Sequence, residues 1–157
     1  MDRSLSQILL QAAERHPERP AVLDASGPVS LARLAARVDQ VAARLTERGL
    51  TGKRLGVLLP NLPSFPLVLY GILRAGGSAL LLNPMNSPRE TEEFLRDAGV
   101  DAVFTTTPLV ALLPKGVRAL LADDLPDALR VVSETDDSIL RLDGAPPPPP
   151  FPAGGER

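Results

Sequence analysis

The spacing of apolar positions along the chain alternates between a helical period and short unbroken runs, and each switch marks an element. Leu5, Ile8, Leu9 and Ala12 recur at helical spacing between Ser4 and Arg15, which predicts a short amphipathic helix. Ser4 suits its N-cap and His16-Pro17 its stop. Pro20 to Asp24 and Pro28 to Ser30 read as extended pieces around Ala25-Ser26-Gly27, a hairpin with a glycine-containing turn. Ser30 then caps a long helix in which Leu31, Leu34, Ala35, Val38, Val41, Ala42 and Leu45 form one stripe and Gly49 ends the run. The charged residues off that stripe form a solvated face.

The densest apolar stretch, Arg54 to Pro84, organises the rest. Leu55 to Leu59 and Ala79 to Leu82 are unbroken runs, the pattern of strands buried on both faces of a parallel sheet. Between them Ser64 to Arg74 reads as a helix, with Phe65, Val68, Leu69, Ile72 and Leu73 inward. Pro63 and Pro66 fit its first turn, where a missing N–H matters little, and Gly76-Gly77 ends it. Strand–helix–strand units of this kind cross over right-handed. Further on, Ser87, Pro88 and Glu90 spell a capping box with proline at the first helical position. Thr91, Phe94, Leu95 and Ala98 are expected inward, and Gly99 ends the helix. Asp101 to Thr105 reads as a third buried strand, Pro108 to Leu113 as a short helix and Val117 to Ala122 as a fourth strand.

This alternation predicts a layered, Rossmann-like α/β domain with a mostly parallel sheet. Leu129 to Val132 and Ser138 to Leu142 are weaker strand candidates. From Gly144 the chain runs through Ala145, Pro146 to Pro150, Phe151, Pro152 and Ala153-Gly154-Gly155, a polyproline linker or tail that builds no globular element. The expected division is therefore 1–143 for the α/β part and 144–157 for the linker. A proline run is also a ligand for SH3-like domains, but this one lacks flanking basic residues and reads as a spacer.

Composition narrows the function classes. A length of 157 residues supports one domain with its own core. A net charge of −2 without a local basic run gives no case for nucleic-acid binding. The absence of cysteine removes disulfides, thiolate metal sites and a cysteine nucleophile, and fits a reducing cytosol. The single histidine, His16, reads as a helix terminator and cannot make a multi-histidine metal site. Asp2, Arg3, Gln7 and Gln11 among the first leucines argue against a signal peptide. Pro60, Asn61, Pro63, Ser64 and Pro66 interrupt Leu55 to Leu73, so no membrane span is expected and the chain is read as cytoplasmic.

A search for catalytic groups returns none. There is no G-x-G-x-x-G after a strand, and Gly71 with Ala75-Gly76-Gly77 lies at the wrong end of a helix to cradle phosphate. There is no G-x-x-x-x-G-K-[ST]. Lys53 and Lys115, the only lysines, sit beside glycines in loops. Asp123-Asp124 and Asp136-Asp137 read as solvated loop acids, and Ser26, Ser64 and Ser78 have no histidine placed to activate them. No catalytic, cofactor-binding or metal residue is assigned.

Taken together, the ordered segments resemble a known family. Pro28-Val29-Ser30-Leu31-Ala32-Arg33-Leu34 resembles the first core motif of the adenylate-forming enzymes: acyl-CoA synthetases, peptide-synthetase adenylation domains and luciferases. Gly56 to Asn61 is similar to their "V-x-L-P-N" strand. Gly71-Ile72-Leu73-Arg74-Ala75-Gly76-Gly77 through Asn83-Pro84 is similar to the second core motif, the "G-x-L-K-A-G" helix end and its following strand. Ser87-Pro88-Arg89-Glu90 with Leu95-Arg96-Asp97-Ala98-Gly99 resembles the "T-P-R-E-L … L-x-D-S-G" segment of acyl-CoA synthetases. Order and spacing match from Ser4 to Thr106, and Asn83-Pro84 in place of Asp-Pro favours the fatty or aryl acid–CoA ligases over the peptide synthetases.

The resemblance implies an incomplete N-terminal part of the large domain of an AMP-forming acid–CoA ligase. The whole enzyme would use ATP, Mg²⁺ and coenzyme A. A carboxylate attacks the α-phosphate and expels pyrophosphate, and the CoA thiol then displaces AMP. The family's phosphate loop, adenine- and acyl-binding segments and catalytic lysine have no counterpart here, so these residues are expected to be scaffold, inactive alone. Their implied partner is the remainder of the ligase chain, and uncovered apolar surface is expected to drive homo-oligomer formation. Two other readings stay open: a free-standing, non-catalytic interaction module of the same fold, and a small nucleotide-binding domain of flavodoxin-like build.

Overall fold

The computed structural model describes residues 4–24, 27–123, 130–134 and 139–141. Ala25 and Ser26 of the hairpin turn, Asp124, Asp136-Asp137 and the linker 144–157 lie outside the described residues. The chain begins with helix α1 (Leu5–Arg15), strands β1 (Pro20–Asp24) and β2 (Gly27–Ser30) and the long helix α2 (Leu31–Glu47). It continues through β3 (Arg54–Val57), α3 (Ser64–Arg74), β4 (Ser78–Leu81), α4 (Pro88–Ala98) and β5 (Ala102–Thr105). A 3-10 helix (Thr107–Leu112), β6 (Ala119–Leu121), β7 (Arg130–Glu134) and β8 (Ile139–Arg141) follow.

The main sheet has the order β4-β3-β5-β6-β7-β8. Its first four strands run parallel, and β7 and β8 are added antiparallel at one side. Strands β1 and β2 form a separate antiparallel ribbon. The fold is therefore α/β with a mostly parallel sheet, and both weak C-terminal strand candidates are present as β7 and β8.

Local chemistry starts the helices where the sequence indicates. Ser4 Oγ accepts the Gln7 N–H at 3.3 Å while the Gln7 side chain accepts the Ser4 N–H at 3.0 Å, a reciprocal cap. Ser30 Oγ accepts the Arg33 N–H at the head of α2. Gly99, at φ 60°, closes α4 in the left-handed conformation that side-chain-bearing residues avoid.

Alternation along the strands divides the core between two helical layers. Leu55 and Val57 of β3, Ala102 and Phe104 of β5 and Leu120 of β6 pack with Val41, Leu45, Val68 and Ile72 of α2 and α3. Val103 of β5 faces the other way, into a layer with Leu58, Leu82 and Leu95 of α4, and Leu109 and Leu112 of the 3-10 helix pack against it. Phe104, fully buried, contributes about 1.5–3 kcal/mol by leaving water. A third cluster, Leu9, Leu34, Val38 and Leu67, seats α1 and the ribbon on the outside of α2 and α3.

Several positions differ from the sequence expectation. Leu5 and Ile8, expected inward, are 57% and 49% exposed, because α1 turns Ser6, Leu9 and Ala13 to its neighbours instead. The outermost helix buries one narrow stripe, and its remaining apolar residues stay outside. Phe94 is likewise 49% exposed, since Thr91 and Leu95 make the buried face of α4. In α3 the buried set is Ser64, Leu67, Val68, Gly71 and Ile72, with Phe65, Leu69 and Leu73 only half-buried. Strand β4 is not enclosed on both faces. It lies at the sheet edge with Ser78 and Leu81 exposed, and Leu82 is buried just beyond it. The segment expected as a helix from Pro108 to Leu113 is the 3-10 turn, with no fully buried residue.

Candidate functional site

In open parallel sheets, ligand sites form outside the carboxyl ends of strands where the strand order reverses. Here the chain passes from β3 to β4 on one side, then returns to β5 on the other, so the reversal lies between β3 and β5. Two segments leave the sheet at that point: Leu58 to Asn61 after β3, and Thr106-Thr107 after β5. The Leu58 N–H donates to the Phe104 carbonyl at 2.8 Å, which holds the first segment against β5. Ala122 and Asp123 follow β6 on the same rim, and the Ala122 N–H donates to the Thr105 carbonyl at 2.9 Å.

The rim is organised by a threonine–aspartate clamp. The Thr107 N–H donates to both Asp123 carboxylate oxygens, at 3.0 and 2.9 Å, and Thr107 Oγ1 adds a bond of 3.1 Å to Oδ2. Asp123 therefore starts the 3-10 helix and ties the exits of β5 and β6 together. The acid expected to be solvated in a loop is half-buried and engaged. Neither residue was singled out from sequence for this role. An acid directly after an apolar strand run was the available signal. Asn83 Oδ1, beyond β4, accepts the Met85 N–H at 2.9 Å and is committed to its own turn.

What the rim lacks is as informative for chemistry. A phosphate site needs several backbone N–H groups converging at a helix start. From the end of β3 through the first turn of α3 the chain has Pro60, Pro63 and Pro66, which together remove three such donors, and no glycine there lets the backbone approach closely. Pro63 is the N-cap of α3 and makes no side-chain cap bond. Both lysines lie elsewhere. Lys53 precedes β3 at the opposite, amino end of the strands, 3.7 Å from Asp101, and Lys115 is exposed in a turn. Thus Lys53 is ion-paired rather than simply solvated, although pairs this exposed contribute little. His16 caps the end of α1 on the surface. Among the described residues no group of three or more histidines, cysteines or acids comes together to hold a metal ion. Among its described residues the rim can position neighbouring elements, and neither lysine nor His16 lies on it.

Residues 9–152 match the family model described as AMP-binding enzyme. A long-chain-fatty-acid–CoA ligase from Haemophilus influenzae is 34% identical over 116 residues, which span 73% of this chain and 21% of that protein. Syringomycin synthase SyrB1 from Pseudomonas syringae is 35% identical over 139 residues, spanning 87% of this chain and 22% of its own length. The crystal structure of the N-terminal domain of FACL13 from Mycobacterium tuberculosis superposes with a TM-score of 0.66 at 26% identity, covering 71% of this chain and 29% of that one. The chain thus spans about a fifth of the length of the curated relatives it matches.

Proposed function

Since the chain belongs to the AMP-binding enzyme family, we propose that its residues form the N-terminal scaffold of an AMP-forming acid–CoA ligase and carry no catalytic step themselves. The observation that carries this reading is the character of the rim. The fold is that of adenylate-forming enzymes, yet its strand-reversal point offers prolines where phosphate-binding N–H groups would be needed. In the proposed whole enzyme, a carboxylate attacks the α-phosphate of ATP, pyrophosphate leaves, and the CoA thiol displaces AMP. Negative charge grows on phosphoryl oxygens in both steps, so donors and a cation must be aimed at them. In this proposal other segments of the polypeptide supply both, rather than the described residues, which bring no three histidines, cysteines or acids together. The described residues supply a sheet with helices on both faces, on whose edge the reactive segments of the same polypeptide pack.

The apolar residues left uncovered support that role. Leu81 at the end of the edge strand β4, Met85 in the next turn and Phe94 on α4 are 53%, 87% and 49% exposed. In this proposal the remainder of the ligase covers them. Among the described residues no helix is long and apolar enough to cross a membrane.

Similarity to a synthase as well as to CoA ligases supports a second reading, which we propose shares the first half-reaction and differs in the acceptor: an adenylating domain that delivers its acyl group to a carrier-bound thiol. One experiment tests both. The native product is captured from source cells with an antibody to this chain and supplied with ATP, Mg²⁺ and a panel of fatty and aryl acids, with and without CoA. Acid-dependent AMP release with CoA thioester formation supports the ligase. Acyl-adenylate that accumulates without thioester supports the carrier-dependent reading. Absence of acid-dependent turnover across the panel contradicts both.

A further inference from the structure

Two hydroxyls in the core have no hydrogen-bond partner: Thr91 Oγ1 and Thr105 Oγ1, on side chains with no solvent exposure. A buried polar group sealed from both protein and water is rare and costly, so each calls for a physical reason. The usual local remedy is not in use. A helical threonine can return its hydroxyl to the carbonyl four residues back, as Thr46 does to Ala42 at 3.1 Å, but Thr91 Oγ1 makes no such bond.

The fold brings these two residues into one layer. Leu95 lies one turn beyond Thr91 on the same face of α4, and both are buried. Leu95 packs on the sheet at Gly56, where an added methyl would lie 3.3 Å from Leu95 Cδ2. Gly56 is paired with Val103, so Leu95 sits over that pair. Thr105 shares the strand face of Val103, two residues nearer the carboxyl end. Helix α4 connects the carboxyl end of β4 to the amino end of β5, so it runs antiparallel to the strands. Thr91 therefore also lies on the carboxyl side of Leu95. Both residues are thus displaced toward the carboxyl ends of the strands from the contact of Leu95 with Gly56 and Val103, on the sheet face whose buried apolar side chains include Leu58 and Leu82.

We propose that Thr91 and Thr105 together form a buried hydration site, holding one water molecule between α4 and the sheet. The chemistry fits a neutral ligand that both donates and accepts. Each hydroxyl does the same, no charged residue is buried among the described residues, and a buried water typically needs two to four polar partners. Such a water would fix α4 against the exits of β3 and β5, beneath the rim described above. This inference concerns the fold itself and stands whether or not the ligase reading holds.

Urea unfolding of the whole chain as wild type, Thr91→Val, Thr105→Val and the double variant tests the site. With a shared water, each single change strands it with one partner and raises the unfolded fraction roughly five-fold. The double variant expels it, so its loss falls clearly short of the product of the two single losses. If either valine variant is as stable as wild type or more so, the hydroxyls sit dry and the proposal is wrong. Multiplicative losses in the double variant would also overturn it. A high-resolution crystal structure gives an independent reading: one ordered water bonded to both Oγ1 atoms supports the site, and its absence, or bonding to only one of them, contradicts it.

Discussion

Gly71 of α3 faces Val41 of α2 so closely that a methyl group on Gly71 would lie 2.4 Å from Val41 Cγ1 and 2.7 Å from its Cβ. The missing side chain sets the distance between the two helices that cover one face of the sheet. Gly71→Ala should therefore destabilise the chain, even though alanine is the better helix former by about 1 kcal/mol. Forcing an extra carbon into a packed layer costs about 1–3 kcal/mol, so a net loss of up to about 2 kcal/mol is expected in urea unfolding. Combining it with Val41→Ala removes the 2.4 Å contact to Cγ1 and leaves the one to Cβ, which relieves part of the clash. The double variant should then lose less than the two single losses added together, and strict additivity would show that the contact does not set the spacing.

The clamp between Thr107 and Asp123 gives a second expectation. Asp123→Ala leaves the Thr107 N–H and hydroxyl without their acceptor at a half-buried site. A loss of about 1–3 kcal/mol is expected, with a smaller loss for Asp123→Asn, which keeps one acceptor oxygen. Amide exchange should quicken at Thr107 and Leu109 before it does in the strands. Uniform quickening would argue that the clamp is not local.

Glu90 supplies the pH dependence. Its carboxylate accepts the Ser87 N–H and the Ser87 hydroxyl, each at 2.8 Å, and these bonds, the backbone one foremost, hold its pKa below the ordinary 4.5. A carboxylate with a lowered folded pKa stabilises the fold above its unfolded value, and that contribution is lost as pH falls through the folded one. The start of α4 should thus loosen below pH 4.5 and not at neutral pH. The Ser87 amide proton shift should follow this titration in wild type and stay flat through it in Glu90→Gln. A midpoint at or above the ordinary value would refute the capping box as its cause.

Exposed Leu81, Met85 and Phe94 lie on consecutive elements at the open edge of the sheet. A strand with one edge unpaired among the described residues, beside uncovered apolar side chains, favours self-association. In sedimentation, these 157 residues by themselves should associate with rising concentration, and Leu81→Lys with Phe94→Lys should reduce the effect. A wild-type monomer at high concentration would remove the expectation.

Much of this architecture was legible from sequence because punctuation and period agreed. The bounds of α3 follow from Pro63 ahead of it and Gly76-Gly77 behind it, and α4 follows from Ser87, Pro88, Glu90 and Gly99. What period alone does not carry is which part of an apolar stripe finds a neighbour. Leu5, Ile8 and Phe94 have the right spacing and no cover, and Leu81 belongs to a run that looks central but forms an edge. The Thr107–Asp123 clamp was hidden for another reason. The two residues are sixteen positions apart in sequence, and only the pairing of β5 with β6 brings them together. The family resemblance was readable because several short motifs fall in register. The lack of a glycine-rich phosphate motif was readable in the sequence, while the location of the rim required the strand order.

The most direct test of the scaffold reading is the mass of the native product, measured by immunoblot of source cells with an antibody against these residues. A band several times larger than 16.7 kDa is expected, with the remainder of a ligase on the same polypeptide. A single band at 16.7 kDa would contradict it and mark the domain as a product that acts without the rest of the enzyme.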